Sequence, residues 1–367
     1  MQPMTELEAE TLRDYYGTFA RLEAAGTSPI YAMWAEGVAA DDAVISLLLE
    51  LPRPKRQANL LFAAARHLGA GEGSYAQLRS WLLEHWDDIR EFMLARSTQT
   101  NEAGRCATLL PVLAQIPGPL ALIEVGASAG LCLYPDRYSY RFTVTEAAGR
   151  PAADDRTARG GAVATDRSAP GTSGAKVEQS VTLDPPAGPS PVVLECELTN
   201  TAVPNRLPEV AWRAGLDLNP LDITDADQRE WLASLIWPEH ESRRARLLAA
   251  ASIAAADPPH LVRGDLLETV ESLLAEVPSG AQPVVFHSAV LAYADAEARA
   301  RFAALMQSRD DVVWISNEGA GVLPDTRAQL ERLGIEPDGR FVLSVDGRAL
   351  ALTGPHGQSF TGLSQAR

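Results

Sequence analysis

Five small residues, Gly126-Ala127-Ser128-Ala129-Gly130, directly follow the apolar run 120–125. Two chemistries use small residues at such a place. A glycine-rich turn after the first strand of an α/β domain lets the backbone approach a nucleotide-like cofactor. The G-x-S-x-G nucleophile elbow of serine hydrolases instead presents a serine, here Ser128, as the attacking hydroxyl. The motif alone therefore leaves a cofactor loop and a hydrolase elbow open.

The spacing within the motif favours one kind of cofactor loop. A dinucleotide fingerprint wants a third glycine at position 131, where Leu131 stands. The loop is closer to the G-x-G-x-G variety of S-adenosylmethionine enzymes, formed here by Gly126, Ser128 and Gly130, with Ser128 at the middle glycine. Small residues would let the backbone approach the ligand, and a following helix would offer its N-terminal N–H groups.

The hydrolase interpretation needs catalytic partners later in the chain. Asp325 or Asp338 and then His356 follow Ser128 in the usual order of a catalytic triad. A nucleophile elbow lies after several earlier strands, however, whereas this loop follows the first recognisable strand. A five-residue match also arises easily by chance. The cofactor loop is therefore the favoured interpretation, and the hydrolase stays an alternative.

A cofactor loop also demands acids at the ends of the next strands. Asp217 ends the strand-like run 210–218, where a carboxylate can grip ribose hydroxyls. Gly126 and Asp217 are 91 positions apart, and removing an insertion at 137–208 leaves 19, against about 20 expected. Asp265 ends the third strand, where an acid can take the adenine amino group. Both acids are predicted cofactor contacts.

Other polar residues complete the predicted site. Glu124 is an acid in an apolar strand, which is costly to bury without a polar role, so it is a candidate cofactor contact. His287 lies at the carboxyl end of the fourth strand, where ligands bind in such sheets, and is a candidate cofactor contact and general base. Glu318 is a second candidate base. The predicted substrate-binding residues are Gln99, Asn101, Glu102, Arg105 and Tyr293.

The elements that must position these residues change character along the chain. Residues 1–116 show helical periodicity and no convincing strand. Over 117–367 apolar runs alternate with helical stretches, which predicts a mainly parallel sheet with helices on both faces. The turn Asp346-Gly347 between two apolar runs indicates an antiparallel hairpin at one edge. The predicted fold is α/β: an all-helical N-terminal domain, then a Rossmann-like doubly wound sheet.

One segment interrupts this alternation. Residues 147–190 are rich in Gly, Ala, Pro, Ser and Asp and contain few large apolar side chains, so they predict a mobile loop. The flanking sequences "RYSYRFTV" and "PVVLECEL" are typical of strands. We therefore expect a hairpin arm with a loop at its tip, inserted at 137–208 between the first helix and the second strand.

Composition limits the partners. The net charge of −16 repels a phosphate backbone, which argues against nucleic acid. No apolar run is long enough to span a bilayer, and the N-terminus lacks the design of a signal peptide, so we expect a soluble, cytoplasmic protein.

Cys106, Cys132 and Cys196 share no metal-type spacing, and no metal site is predicted. The segment Trp237-Pro238-Glu239 with Arg243, Arg244 and Arg246 indicates an ion-paired helix face.

Two resemblances add to this interpretation. In motif order, residues from 120 onward resemble class I S-adenosylmethionine-dependent methyltransferases. Over nearly its whole length the chain resembles the bacterial domain-of-unknown-function 2332 family, through "TQTNEAGR", "EVGASAGLCLYPDRY", "GLDLNPLD", "WPEHESRRARL", "VVFHSAVLAY" and "WISNEG". The first resemblance implies a methyltransferase fold and cofactor contacts at Glu124, Gly126, Ser128, Gly130, Asp217 and Asp265. The second implies no particular reaction.

The expected function is transfer of a methyl group from S-adenosylmethionine to a small-molecule acceptor, by in-line attack of a nucleophile on the sulfonium methyl. A base such as His287 or Glu318 would remove a proton where the acceptor requires it. Two alternatives stay open, since a fold does not fix a function: a non-catalytic protein that binds a nucleotide or cofactor in the same fold, and a serine hydrolase that uses Ser128. The sequence does not indicate an oligomeric state.

Overall fold

The computed structural model describes residues 2–99, 101–145 and 178–363. They fall into two compact units, each assembled from several segments. The first takes its described residues from Met1–Ala103, Gly126–Leu133 and Ala214–Thr269, and the second from Gly104–Val125, Tyr134–Arg213 and Val270–Arg367. The chain thus passes between the units several times, and the predicted domain boundary between residues 116 and 117 stays a prediction.

The described residues form a mixed α/β protein with a helical N-terminal region, as predicted. The helices are α1 (Gln2–Thr18), α2 (Pro29–Ala39), α3 (Asp42–Leu49), α4 (Ala58–His67), α5 (Tyr75–Glu84), α6 (Trp86–Ala95), α7 (Cys106–Leu113), α8 (Ala226–Ser234), α9 (Glu241–Ala256), α10 (Leu266–Ala275), α11 (Ala296–Gln307) and α12 (Pro324–Leu333). The strands are β1 (Pro119–Val125), β2 (Ser139–Thr145), β3 (Glu178–Leu183), β4 (Val193–Thr199), β5 (Glu209–Asp217), β6 (His260–Arg263), β7 (Gln282–Ser288), β8 (Val313–Gly319), β9 (Phe341–Val345), β10 (Arg348–Thr353) and β11 (Ser359–Gly362).

Local signals explain the N-terminal helices of the first unit. The Asp41 side chain accepts the backbone N–H groups of Ala43 and Val44, which satisfies free donors at the start of α3. Ser28 caps α2 in the same way. The helices pack around an aromatic core in which Trp34 and Phe62 are fully buried, with ring centroids 5.5 Å apart. Burial of such rings supplies a large share of the hydrophobic stabilisation of this region.

The first unit also contains a parallel strand pair. The end of β5 pairs with β6 from Ala214 opposite His260 to Asp217 opposite Arg263. Helices α8 and α9 form the connection between the two strands, as parallel pairing requires a long crossover. Asp217 is thereby placed at the carboxyl end of β5.

The strands of the second unit are ordered β3-β2-β4-β11-β10-β9-β8-β7-β1. β1, β7 and β8 are parallel neighbours, and so are β2, β4 and β11. β8, β9, β10 and β11 are antiparallel neighbours. β1 is buried almost along its whole length, which explains its continuous apolar sequence.

The predicted C-terminal hairpin is antiparallel, but its position at an edge is wrong. β9 and β10 are joined at Asp346 and Gly347, both with positive φ (49° and 78°), which is the backbone of a type I′ turn. β8 pairs with the outer side of β9, and β11 pairs with the outer side of β10. β11 has only four residues, too short for its pattern to be distinguished from a loop in the sequence.

The predicted hairpin arm also differs. Its two expected strands, β2 and β4, are neighbours but run parallel, with Ser139 opposite Val193. β3, which lies in the segment predicted as a loop, is the antiparallel partner of β2. Its sequence "EQSVTL" is too polar to indicate a strand without its neighbours. The remainder of the predicted loop up to residue 177 lies outside the described residues.

Within the part of the chain that the structure describes, no helix combines the length and the apolar character that a membrane crossing requires.

Candidate functional site

The small-residue loop of the first unit is a tight left-handed turn. Gly126, Ser128 and Gly130 have φ values of 73°, 51° and 72°. The N–H groups of Gly126 and Ala127 both donate to the carbonyl of Leu216, at 2.8 and 3.1 Å. Positive φ is cheap for glycine and costly for serine, so Ser128 is held in a strained conformation. Strain of this kind is typical of functional sites.

The helix expected after the loop is absent. The described residues that follow form only a three-residue 3₁₀ turn, Leu131–Leu133. Pro135 comes two residues later, and a proline cannot supply the N–H group that would continue a helix. N–H groups of a long helix therefore cannot face a ligand here.

Asp217 ties the loop to the end of β5. Its Oδ2 accepts the N–H of Ser128 at 2.9 Å, and its Oδ1 accepts the N–H of Asn219 at 2.7 Å. The carbonyl of Ser128 in turn accepts the N–H of Leu221 at 3.0 Å. Each carboxylate oxygen keeps a second lone pair, so Asp217 could still accept hydroxyl groups of a ligand.

Asp265 lies at the next strand end and is exposed. Its Oδ1 accepts the N–H of Leu267 at 2.8 Å, so it caps the start of α10. The neighbouring Gly264 N–H donates to the carbonyl of Asp217 at 3.0 Å. The structure thus brings both predicted acids to one end of the β5–β6 pair, and contact of Asp265 with an adenine ring stays a prediction.

Two of the predicted pocket residues contact this loop system. Gln99 donates from Nε2 to the carbonyl of Asn219 at 2.8 Å, and Asn101 Oδ1 accepts the N–H of Leu131 at 3.4 Å. Three buried polar atoms here have no hydrogen-bond partner among the residues that the structure describes: Oε1 of Gln99, Nδ2 of Asn101 and Oγ of Ser128. Native proteins satisfy nearly all such groups, so this set is what a polar ligand would satisfy.

Glu102 is buried and ion-paired in the same unit. Its Oε2 accepts from Arg243 Nε at 2.9 Å and its Oε1 from Arg246 at 3.1 Å, so the helix face of α9 is ion-paired as the sequence indicates. Cys132 Sγ donates to the Glu102 carbonyl at 3.3 Å. Burial and, secondarily, the charge of Arg243 lower the pKa of His240, which stands at the start of α9.

The remaining predicted residues lie in the second unit. Glu124, on β1, is 7% exposed. Arg105 is equally buried, and it donates to the carbonyl of Pro355 at 3.0 Å and to that of Ser288 at 2.8 Å. Tyr293, in contrast, is 88% exposed. Arg105 therefore links the backbone at Ser288 to the backbone at Pro355. Contact of Arg105 and Tyr293 with a substrate stays a prediction.

His287 and Glu318 form a buried hydrogen-bonded pair. His287 Nδ1 lies 2.7 Å from Glu318 Oε1, and the His287 Nε2 accepts the indole N–H of Trp314 at 3.0 Å. Because Trp314 can only donate, Nε2 must be the acceptor and Nδ1 must carry the proton. With both ring nitrogens occupied and no exposed surface, His287 is placed to orient Glu318.

The two carboxylate oxygens of Glu318 differ in their hydrogen bonding. Oε1 also accepts the N–H groups of Val290 and Leu291, at 3.0 and 3.1 Å, whereas the buried Oε2 has no hydrogen-bond partner in the described ranges of the chain. Ala289, directly before these residues, has a φ of 56°. A carboxylate with one free buried oxygen beside a strained turn is a candidate proton acceptor.

The surroundings of Ser128 within the first unit bear on the alternative hydrolase. The serine is 3% exposed, and its hydroxyl contacts no base among the described residues. Asp325, Asp338 and His356 are all exposed. A serine nucleophile needs a hydrogen-bonded base, so this geometry does not favour the hydrolase.

A cavity of about 600 Å³ opens elsewhere in the first unit, beside α1. Its lining mixes apolar side chains with an ion pair of Arg53 and Glu8, and it contains none of the predicted site residues. The lining residues are Leu7, Glu8, Thr11, Leu12, Tyr15, Arg53, Arg56 and Gln57.

Comparison with known proteins gives one match. A family described as "Uncharacterized protein conserved in bacteria (DUF2332)" matches residues 13–361. Neither the curated proteins nor the solved structures contain a match to this chain.

Proposed function

The chain belongs to the bacterial DUF2332 family, and we propose that it is an S-adenosylmethionine-dependent methyltransferase with a Rossmann-like doubly wound arrangement and a small-molecule acceptor. One observation carries this proposal: Asp217, at the end of β5, holds Ser128 in the left-handed loop that follows β1. A small-residue loop beside an acid at a strand end is the arrangement that grips the ribose of nucleotide cofactors.

The residues of the first unit fit an adenosine-type ligand. Asp217 would accept ribose hydroxyls with its remaining lone pairs, and Gly126 and Gly130 would let the backbone approach. The unpartnered atoms of Gln99, Asn101 and Ser128 would take the polar groups of the ligand. Bound at this loop, S-adenosylmethionine supplies an electrophilic methyl group. Glu124 and Asp265 stay proposed contacts.

In the second unit we assign the proton transfer to Glu318. Its Oε2 would accept a proton from the acceptor, while three donors hold Oε1 in place. His287 would act as a positioning residue, because Trp314 occupies its other nitrogen. General base catalysis of this kind contributes roughly 10²- to 10⁴-fold in rate. Arg105 and Tyr293 remain proposed acceptor contacts.

A non-catalytic protein that binds a nucleotide is the second candidate. It is favoured by the two N–H groups that already occupy Asp217, and by Ser128 in place of a glycine. Such a protein need not distinguish the sulfur-containing cofactor from other adenosine compounds.

Calorimetry on the full chain separates these candidates. We expect S-adenosylhomocysteine to bind with micromolar affinity, and NADH and ATP much more weakly. ATP bound as tightly as S-adenosylhomocysteine would favour the non-catalytic candidate, and no heat from S-adenosylhomocysteine near millimolar concentration would refute the cofactor. A fluorophosphonate probe that labels wild type but not Ser128→Ala would support the hydrolase instead.

A further inference from the structure

Among the described residues, the ion pairs of Glu102 set two positive charges against one negative charge. Arg243 and Arg246 share this one carboxylate, with distances of 2.9 and 3.1 Å. Glu102 is 5% exposed, and both arginine side chains are 24% exposed. Two guanidiniums and one carboxylate, here called the Arg–Glu–Arg cluster, carry a net charge of +1. Keeping an excess charge in a mostly buried position is costly unless a further anion pairs with it.

The cluster also has a hydrogen-bond donor without an acceptor. Among the described residues, nothing accepts a hydrogen bond from the buried Nε of Arg246. Of the two nearest other acids in the sequence, Glu241 at the start of α9 is exposed, and Glu239 just before α9 accepts the N–H of Ile30 at 3.0 Å. A buried charged donor without an acceptor loses hydration and gains nothing in return. An oxyanion would supply both the missing negative charge and the missing acceptor.

We propose that the Arg–Glu–Arg cluster is the binding site for an oxyanion, a carboxylate or a phosphate group, on a small ligand. A guanidinium recognises both groups through paired N–H donors in one plane. Glu102 fixes the orientation of both guanidiniums, so little freedom is lost when the anion binds.

The position of the cluster connects this anion to the glycine loop. Cys132 Sγ donates to the Glu102 carbonyl, and the Leu131 N–H donates to Asn101. The anion is therefore either the carboxylate of the amino-acid end of the cofactor or an anionic group of a second ligand beside it. This choice of source rests on the proposed function, whereas the oxyanion site itself does not.

Inorganic phosphate is the first probe, titrated into the full chain by calorimetry at constant ionic strength. Arg246→Met leaves Glu102 and Arg243 as a balanced pair and should weaken saturable phosphate binding at least tenfold. The matched control is Arg244→Met on the same helix, because Arg244 is 42% exposed and, within the described part of the chain, forms an ion pair only with Glu230, at 3.3 Å. This control should bind phosphate as wild type does.

Three outcomes would overturn the site: no saturable phosphate binding by wild type, wild-type binding by Arg246→Met, or an equal loss in Arg244→Met, which would indicate diffuse surface charge. If Arg246→Met does not fold, Arg246→Lys provides the test, because lysine keeps the positive charge but lacks the paired, coplanar N–H donors of a guanidinium. It should weaken phosphate binding severalfold, and unchanged binding would count against the proposal.

S-adenosylhomocysteine and 5′-methylthioadenosine, which lacks the amino-acid end, identify the source of the anion. If Arg246→Met weakens only the former, and phosphate competes only with the former, the anion belongs to the cofactor. If S-adenosylhomocysteine and phosphate bind together, the anion belongs to a second ligand. If wild type binds no S-adenosylhomocysteine but still binds phosphate through Arg246, the methyltransferase proposal fails and the oxyanion site stands.

Discussion

Replacing Asp217 with asparagine tests two roles of one carboxylate. In the structure Oδ2 accepts the N–H of Ser128 at 2.9 Å, and Oδ1 accepts that of Asn219 at 2.7 Å. Asparagine keeps one acceptor oxygen and replaces the other by an NH₂ group, which cannot accept a hydrogen bond. An Asx turn to Asn219 can be retained, but the N–H of Ser128 then faces a donor.

The size of both effects follows from this geometry. A hydrogen bond to a charged group contributes about 1.5–3 kcal/mol, so Asp217→Asn should lower the free energy of unfolding by about that amount. The proposed ribose contact loses the same charge. Since about 1.4 kcal/mol corresponds to a tenfold change in affinity, S-adenosylhomocysteine should bind roughly 10- to 100-fold more weakly.

Urea denaturation measures the first effect, and calorimetry on the folded variant measures the second. Asp222→Asn is the matched control, because Asp222 accepts the N–H and the hydroxyl of Thr224, at 2.8 and 2.6 Å, in the same connection but on its exposed side. It should leave ligand affinity unchanged. Unaltered stability of Asp217→Asn would refute its role in holding the loop, and unaltered affinity for a ligand that wild type binds would refute the ribose contact.

Three further changes test other parts of the two units. Ser128→Ala removes a buried hydroxyl that has no partner among the described residues, so the free energy of unfolding should rise by about 1 kcal/mol and the affinity for S-adenosylhomocysteine should fall severalfold. A less stable variant would contradict the unpartnered hydroxyl, and an unchanged affinity would contradict the ligand contact. Burial and the charge of Arg243 lower the pKa of His240 below its ordinary value of 6.5, so the unfolded chain binds more protons than the folded chain as the pH falls through 6.5. Urea denaturation should therefore show that wild type loses more stability than His240→Gln between pH 7 and pH 5. An equal or smaller loss in wild type would contradict the lowered pKa. In ¹⁵N NMR spectra His287 should carry its proton on Nδ1, and Trp314→Phe should let the Nε2–H form appear; an Nε2–H form already dominant in wild type would exclude the hydrogen bond from Trp314.

Much of the architecture was predictable because it depends on local signals. Alternating apolar and helical stretches indicated an α/β protein with a helical N-terminal region, and Asp346-Gly347 indicated an antiparallel hairpin, since its turn requires positive φ at both residues. The neighbours of a strand are set by the whole sheet instead. The β9–β10 hairpin was expected at an edge, but the four-residue β11 pairs with β10 and so makes the hairpin an interior part of the sheet. β4 pairs parallel with β2, and no local sequence pattern indicates this pairing.

The site shows the same division between local and long-range information. The small residues at 126–130 indicated a tight loop, and Gly126 and Gly130 adopt the positive φ that glycine allows at little cost. The helix expected behind the loop was an inference from known folds, and Pro135 was the local signal against it.

The partners of the candidate base Glu318 were harder to predict. Period-two alternation along β8 already places Trp314 and Glu318 on one face, so their proximity could have been inferred. That His287 lies between them depends on the register that sets it opposite Ser316. A shift of that register by one residue would turn His287 to the other face of the sheet. The crossover between β7 and β8, and not any motif, therefore makes Glu318 a fixed acceptor with one free oxygen.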